Sequence, residues 1–324
     1  MKRPEIPALT GLRGLAALLV VWNHYFHWCA PFPVETAPPW LNVLFNTSDV
    51  GMTLFFVLSG FVITYNYADL NWRGDFRAAF AQFAWMRFSR LYPLLAVFIL
   101  LRLGRHWPDW LTGLHILAVQ TWVPLPAEQT IRGPYGVSWS ISTEVGMYLM
   151  FALLMVLHKR ARLVAIVLYI GAIALISATL DDGPTAYWFF YLSPYFRFLE
   201  FGAGAMLAFC TTRGYISIRT SRSMPRLLSS QPMIFIGNIS YSIYLLHGAI
   251  AAWIADGLGL RLFNVTKSDY ATASIAPLMS NIIVGMCLSF LIASIGYLAI
   301  ETPAKLILRR LGDGIRGAAP VPAR

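Results

Sequence analysis

Long apolar segments separated by short polar ones recur along the whole chain. Segments of roughly 17 to 25 apolar residues are long enough to cross the hydrocarbon core of a bilayer as α-helices. Helices are expected there because lipid offers no hydrogen-bond partner to an unpaired backbone group. The pattern therefore predicts an all-α fold, a polytopic transmembrane helix bundle, with eight candidate spans at 8–29, 50–67, 91–103, 137–157, 163–180, 195–211, 234–255 and 275–300.

A further apolar segment, 110–123, is short and flanked by prolines. It fits a surface helix, a re-entrant piece, or part of two additional crossings. The number of spans is thus expected to be 8 to 10.

The basic residues between the spans predict the orientation of the chain in the membrane, because short cytoplasmic loops collect Lys and Arg. With the N-terminus inside, eighteen of the 25 Lys and Arg residues lie in inside segments and five in outside ones. The remaining two, Arg13 and Arg197, lie within spans. Both termini are therefore expected to be cytoplasmic, which requires an even number of crossings.

The composition supports a membrane protein and narrows the function classes. Of the 324 residues, 57% are hydrophobic and only 12% charged, about half the share of roughly 25% usual in soluble domains. This excludes disorder, fibres and most nucleic-acid binders, and the topology accounts for most of the net charge of +10. Three widely spaced cysteines predict neither a redox nor a metal site. We expect one transmembrane domain over 1–312 and a disordered cytoplasmic tail over 313–324.

Four charged residues fall inside predicted spans, where a charge costs several kcal/mol unless it is paired or lines a cavity. They are Arg13, Glu144, Arg197 and Glu200. Arg197 and Glu200 are three residues apart on one helix face and are expected to pair as a structural clamp. We expect no catalytic role for that pair.

Arg13 and His24 lie on nearly the same face of the first span, about 16 Å apart along its axis. His24 and Glu144 lie at matching depths in spans of opposite direction. A carboxylate there would orient the imidazole or raise its basicity, as general-base catalysis requires. The alternative is an interfacial histidine bonded to a carbonyl group.

The other histidines divide into two groups. His247 lies in the middle of a span and has two interpretations, a hydrogen bond in helix packing or a functional role. The rest lie near predicted span ends or in loops, where snorkelling to the interface is expected; they are His27, His106, His115 and His158.

Two short motifs each have a structural and a functional interpretation. In FFVLSGFVIT, the small Ser59 and Gly60 indicate close helix packing, or else backbone access for a thin acyl or pantetheine chain. In WMRFSRLYPL, Arg87 and Arg90 are expected at the end of an inside loop, one helical turn apart. They suit phosphate groups, but they also follow the positive-inside rule.

These segments, taken in order, resemble the integral-membrane acyltransferase family 3. LTGLRGLAALLVVWNH is similar to the family's Arg-x10-His pattern at Arg13 and His24, and FFVLSGFVIT to its Ser-Gly-Phe element. The resemblance covers 9–303 and includes RFSRLYP, WSISTEVGMYLMF with Glu144, GNISYSIYLLH ending at His247, and the closing ETP.

The resemblance implies a multi-pass enzyme of the bacterial inner membrane that moves an acyl group, usually acetyl, from cytoplasmic acyl-CoA to a carbohydrate hydroxyl outside the cytoplasm or on a lipid carrier. It implies neither a metal nor a nucleic-acid partner. His24 would be the general base, assisted by Glu144. Residues implied in donor binding are Arg13, Arg87, Arg90, Ser59 and Gly60.

Two features of the implied mechanism stay open. The acceptor attacks the thioester directly, or His24 is first acylated in a ping-pong route. Ser59, Ser142 or a backbone amide would serve as the oxyanion donor.

Two other function classes compete with the acyltransferase. A secondary transporter or flippase for a sugar-containing or anionic substrate also places Arg, Glu and His within the membrane. A non-catalytic scaffold explains the hydrophobicity but not the intramembrane charges. Consumption of acetyl-CoA in the presence of glycan discriminates the enzyme from both.

Overall fold

The computed structural model describes residues 3–29, 47–103, 109–131, 135–215, 224–257 and 275–315. This part of the chain is helical and contains no strand, which confirms the all-α prediction there. Its α-helices are α1 Pro7–Cys29, α2 Ser48–Tyr67, α3 Phe76–Leu103, α4 Trp110–Leu117, α5 Ala127–Thr130, α6 Trp139–Val156, α7 Lys159–Thr179, α8 Pro184–Tyr187, α9 Pro194–Thr212, α10 Met224–Leu228, α11 Gln231–Asn238, α12 Ser240–Gly257, α13 Ile275–Gly296 and α14 Thr302–Ile315.

Each of the eight predicted spans coincides with a helix or a helix pair. Within the described residues, five helical segments are long and apolar enough to cross a membrane: Ser48–Tyr67, Phe76–Leu103, Gly136–Val156, Lys159–Thr179 and Ile282–Gly312. The pair α11 and α12, bent by 62°, makes a sixth if it forms one broken span. The predictions of 8 to 10 spans and of cytoplasmic termini stay predictions. Residues 316–324 of the predicted tail lie outside the described residues, and 313–315 end α14.

Helix α3 begins fifteen residues earlier than the predicted span at 91. Its N-terminus is capped by the Asp75 carboxylate, which accepts a hydrogen bond from the Ala78 backbone N–H at 3.0 Å. Residues 76–90 contain no Gly or Pro, and Pro93 lies inside the helix without ending it. The prediction that Arg87 and Arg90 lie in a loop is therefore wrong, since helix-favouring residues carry α3 through both.

Helix α4 decides part of the ambiguity over 110–123. It has 8 residues and begins with a capping box between Asp109 and Thr112. It ends at Ala118, which has a φ of 54°. A helix of this length spans about 12 Å, so α4 is too short to cross a bilayer by itself. The surface and re-entrant alternatives remain, and so does that of two additional crossings to which this segment contributes only a part.

Helix α7 has almost no protein around it. Ile173 is its buried residue, and its other large apolar side chains are mostly exposed. In a membrane protein such a surface faces lipid.

The described residues form two compact units. Unit 1 comprises Met1–Arg3, Phe56–Ser217 and Ile300–Arg324, and unit 2 comprises Pro4–Phe55 and Ile218–Ala299. In unit 2, α1 packs against α11, α12 and α13. The approach of α1 to α11 is close: a Cβ on Gly237 would lie 1.9 Å from the Thr10 carbonyl oxygen. The core of unit 2 consists of fully buried residues, namely Val21, Tyr25, Ile239, Ile243, Ile282 and Ala293.

Candidate active site

Two histidines meet inside unit 2. Nδ1 of His24, on α1, lies 2.7 Å from Nε2 of His247, on α12. Their rings meet edge to edge, with centroids 5.0 Å apart and planes inclined by only 13°. His247 is fully buried, and its Nδ1 lies 2.6 Å from the carbonyl oxygen of Tyr244. His247 therefore takes part in helix packing and also contacts the predicted catalytic imidazole.

The residue after His24 is held in place from two sides. The Tyr25 hydroxyl lies 2.7 Å from Ser289 Oγ on α13 and donates a longer bond of 3.5 Å to the His247 carbonyl oxygen. Gly285 leaves room for the Tyr25 ring, since a Cβ on this glycine would lie 2.4 Å from Cε1 of that ring. This packing fixes the end of α1 that carries His24.

Arg13 lies on the same helix as His24. Both fall within the continuous α1, eleven residues apart, which corresponds to about 16 Å along the axis. Arg13 is half-buried. The spacing expected from the sequence is therefore present, while a role of Arg13 in donor binding stays a prediction.

In unit 1, two hydroxyl groups converge on one carboxylate oxygen. Oε1 of Glu144 accepts a hydrogen bond from Ser59 Oγ at 2.7 Å and one from the Tyr148 hydroxyl at 2.5 Å. The two hydroxyls hold this carboxylate in one orientation. Sequence analysis assigned Ser59 and Glu144 to separate roles, and the structure joins them directly.

Arg87 belongs to the same cluster as Glu144. Its side chain is only 9% exposed, and Nη2 donates to the Tyr67 hydroxyl at 2.6 Å. The guanidinium lies over the rings of Tyr67 and Tyr148, at 4.8 Å and 5.9 Å from their centroids. The charges of Arg87 and Glu144 attract each other. Among the described residues, Nε of Arg87 has no hydrogen-bond partner.

Helix α14 adds two cations beside α3. The helices pack together, and Nε1 of Trp85 donates to the Leu308 carbonyl oxygen at 2.8 Å. The positive charges of Arg90, Arg309 and Arg87 all act on Lys305. We call this set the basic cluster: Arg87, Arg90, Lys305 and Arg309. Sequence analysis had assigned Lys305 and Arg309 to topology alone.

Gly60 lies at a close contact between α2 and α9. A Cβ on Gly60 would lie 1.9 Å from the Phe201 carbonyl oxygen, and one on Gly204 would lie 1.9 Å from that of Val57. The structure thus shows the helix-packing alternative at Gly60. Backbone access for an acyl or pantetheine chain stays a prediction.

The expected pairing of Arg197 with Glu200 is confirmed. Nη1 of Arg197 lies 2.6 Å from Oε1 of Glu200, and Nε donates to the Tyr191 carbonyl oxygen at 2.9 Å. The guanidinium also lies 4.9 Å from the centre of the Tyr191 ring. These contacts give the arginine a structural role within unit 1.

His115 is not a snorkelling residue, and that prediction is wrong. Only 2% of it is exposed, and its Nδ1 lies 3.0 Å from Ser138 Oγ. Burial lowers the pKa of His115 to about 4, against the opposing effects of a backbone hydrogen bond at Gln129 and of the Asp109 carboxylate. His115 lies on the buried face of α4 together with Thr112, while the apolar Trp110, Ile116 and Leu117 of this helix are exposed.

Among the described residues, no group of three or more His, Cys, Asp or Glu is placed to hold a metal ion. Ser142, one of the suggested oxyanion donors, is fully buried, and its Oγ accepts hydrogen bonds from the backbone N–H and the hydroxyl of Thr121.

The chain is similar to known acyltransferases. A family model described as an acyltransferase domain matches residues 6–214. The chain is 32% identical over 164 residues to "Acyltransferase MdmB" of Streptomyces mycarofaciens, a match that covers 46% of this chain and 39% of the relative. It is 35% identical over 86 residues to "Protein 2 in picA locus" of Rhizobium radiobacter, covering 26% and 38% respectively. The chain thus spans about two fifths of the length of these curated relatives. No solved structure matches it.

Proposed function

The chain belongs to acyltransferase family 3, and from that premise we propose that it acylates carbohydrate with acyl-CoA as the donor. The acyl group is acetyl, and the acceptor is a hydroxyl of an extracytoplasmic or lipid-linked glycan. The protein acts as a multi-pass enzyme of the bacterial inner membrane. The observation that carries this proposal is an imidazole on an apolar helix, His24, held by a short hydrogen bond to His247.

His24 is the general base of the proposed reaction. Its imidazole takes the proton of the acceptor hydroxyl while the oxygen attacks the thioester carbonyl carbon. The tetrahedral intermediate collapses, the carbon–sulfur bond breaks, and the CoA thiolate takes the proton back from the imidazolium. The products are the O-acyl glycan and free CoA. In the ping-pong alternative, His24 carries the acyl group between the two half-reactions.

The basic cluster binds the phosphates of CoA. Arginine and lysine form charge-assisted hydrogen bonds with phosphate oxygens, and these bonds are stronger in a partly buried site. Support comes from the surroundings of Lys305, where burial and the charges of Arg90, Arg309 and Arg87 oppose the charge of the lysine, against one attracting carboxylate, that of Glu301. An anion bound there would relieve that repulsion. Arg13, Ser59 and Gly60 complete the proposed set of donor-binding residues.

Glu144 assists the reaction in this proposal. The hydroxyls of Ser59 and Tyr148 hold its carboxylate in one orientation. That it raises the basicity of His24 is part of the proposal, and Glu144→Gln tests it: the amide keeps the shape but removes the negative charge. Loss of turnover without loss of donor binding would support this role.

The deciding experiment measures CoA release by the purified protein in lipid nanodiscs. Acetyl-CoA and bacterial surface glycan are supplied together and separately, and glycan acetylation is followed by mass spectrometry. We expect release of CoA that depends on glycan and is abolished in His24→Ala. His158→Ala is the matched control, since His158 is exposed.

Two outcomes would overturn the proposal. One is full activity of His24→Ala. The other is glycan uptake into proteoliposomes with acetyl-CoA left intact, which would favour the transporter class.

A further inference from the structure

The hydrogen bond between His24 and His247 determines which nitrogen of each ring carries a proton. We propose that His247 is a positioning residue that holds His24 in the tautomer with the proton on Nδ1. His24 then presents the lone pair of Nε2 as the base. This inference rests on the proposed role of His24 and assigns a task to His247, a residue without one so far.

Nδ1 of His247 faces two backbone carbonyl oxygens of its own helix. This nitrogen lies 2.6 Å from the Tyr244 carbonyl oxygen and 3.2 Å from that of Ile243. Carbonyl oxygens accept hydrogen bonds and cannot donate them. Nδ1 of His247 must therefore carry a hydrogen and donate it to its own helix backbone.

The burial of His247 determines the charge of its ring. The residue is fully buried in unit 2, beside a core of Val, Ile and Ala side chains. An imidazolium is costly in such surroundings, so the ring is neutral. A neutral imidazole with its hydrogen on Nδ1 has a lone pair on Nε2 and accepts a hydrogen bond there.

The accepting Nε2 of His247 determines which nitrogen of His24 carries the hydrogen. Nδ1 of His24 lies 2.7 Å from the accepting Nε2 of His247, so Nδ1 of His24 is the donor. The second nitrogen of a neutral His24 then holds the lone pair. The two ring planes differ by only 13°, so the hydrogen bond lies close to the plane of both rings, where the donor hydrogen and the acceptor lone pair point.

The arrangement performs the orienting task that a carboxylate performs in serine hydrolases, where it fixes the tautomer of the catalytic histidine. It differs because the acceptor is neutral. His247 therefore selects the tautomer without adding a negative charge next to the imidazolium that forms during the reaction.

Two substitutions of His247 distinguish the effect of the hydrogen-bond acceptor at Nε2 from the effect of the rest of the ring. In His247→Gln, the longer side chain places an amide oxygen near the position of Nε2 and keeps an acceptor for His24. In His247→Asn, the amide reaches only the position of Nδ1, so the backbone contact is retained and the acceptor is lost.

We expect His247→Asn to lower kcat by about 10²- to 10⁴-fold, the range of general acid–base catalysis. The KM for acetyl-CoA should stay unchanged. His247→Gln should restore most of kcat. Equal losses in both variants, or a change confined to KM, would overturn the inference. Thermal unfolding in detergent controls for misfolding of either variant.

A direct measurement does not depend on activity. Nitrogen NMR of protein with isotope-labelled histidine distinguishes protonated from unprotonated ring nitrogens, and the signals of His24 are assigned by their loss in His24→Ala. The chain has six histidines, so the spectrum is sparse. We expect His24 to carry its hydrogen on Nδ1 in the wild type and on Nε2 in His247→Asn.

The two hypotheses fail in distinguishable ways. A wild-type His24 with its hydrogen on Nε2 would overturn the positioning role even in an active enzyme. The expected tautomer in a protein that never consumes acetyl-CoA would leave the histidine pair in place and overturn the acyltransferase proposal.

Discussion

At the scale of single residues, the polar groups of unit 1 act in shared contacts. Ser59 and Tyr148 both donate to Oε1 of Glu144, and the Tyr148 ring also lies beside the Arg87 guanidinium. Groups that share one acceptor contribute to stability in a non-additive way. A substitution in this cluster is thus expected to alter several contacts together.

Removing both hydroxyl donors of Glu144 tests this coupling. We expect Ser59→Ala and Tyr148→Phe each to cost about 1 kcal/mol of stability. The double variant should differ from the sum of the two by more than about 0.5 kcal/mol. Denaturation in detergent measures these values, with Tyr92→Phe as the control because the Tyr92 hydroxyl bonds to Leu117 in an exposed place. Strict additivity would contradict the shared contact.

Because burial lowers the pKa of His115, we expect the stability of the folded protein to depend on pH. Its pKa is about 4 when buried, whereas in the unfolded chain it is near 6.5. Between these values the unfolded state binds the proton more strongly, so stability falls as the pH falls from 6.5 to about 4. Thermal unfolding from pH 8 to pH 4 should show a smaller decline in His115→Asn than in the wild type. Identical declines would contradict the neutral buried state.

The candidate residues were selected from residue types and spacing, and their catalytic and binding roles stay predictions. Arg13, His24 and Glu144 were found because charged or titratable groups are rare in apolar segments. The contact between His24 and His247 was not predictable, because it joins residues 223 positions apart through the packing of α1 on α12. The bond of Ser59 to Glu144 was missed for the same reason, since it depends on the rotation of α2 relative to α6.

At the scale of elements, the approach of α2 to α9 depends on small residues. Gly60 and Gly204 each face a backbone carbonyl of the other helix at a distance that leaves no room for a Cβ. Backbone atoms cannot move aside as a flexible side chain can. The contact therefore requires glycine at both positions.

Substitution of Gly60 distinguishes its two interpretations. We expect Gly60→Ala to destabilise the protein by about 1–3 kcal/mol, the usual cost of overpacking. Gly202→Ala on the neighbouring helix is the control, since a Cβ there meets nothing within 4 Å. Thermal unfolding and the KM for acetyl-CoA are measured together. Normal stability with a raised KM would instead favour contact with the donor chain.

The sequence pattern predicted which segments are helical better than it predicted where each helix begins and ends. The eight apolar segments correspond to helices because the lengths of apolar runs report directly on burial in lipid. The start of α3 was missed since Arg87 and Arg90 were taken to mark a loop, whereas the charge of Arg87 is accommodated within the helix packing by Tyr67 and by the neighbouring Glu144. The bend of 62° between α11 and α12 falls where Gly237 and Asn238 end one helix and Ser240 begins the next, a stop and start signal that the prediction of one span over 234–255 did not use.

At the scale of the whole molecule, the net charge of +10 has more than one origin. Many basic residues lie between the predicted spans, as membrane topology requires. The basic cluster differs, because its members gather between α3 and α14. Overall charge is therefore a poor guide to an anion-binding site, and the position of each cation is a better one.

Lys305 tests whether the basic cluster binds the donor. We expect Lys305→Gln to raise the KM for acetyl-CoA about tenfold, roughly the effect of one charge-assisted bond of 1.5 kcal/mol, while kcat is unchanged. Lys159→Gln removes the same charge from an exposed position and serves as the control. Equal effects of the two variants would show that only net charge matters.

The length of helix α7 matches the thickness of the hydrocarbon core of a bilayer. Its 21 residues extend about 32 Å, close to the hydrocarbon depth of an average bilayer. Because Ile173 is the one buried residue of this helix and most of its other side chains are exposed, acyl chains supply most of the contacts along its length. In a thinner membrane this helix would tilt, which costs only a small free energy per ångström of mismatch between helix and bilayer. Detergents with short tails should for the same reason loosen α7 before any other part of unit 1.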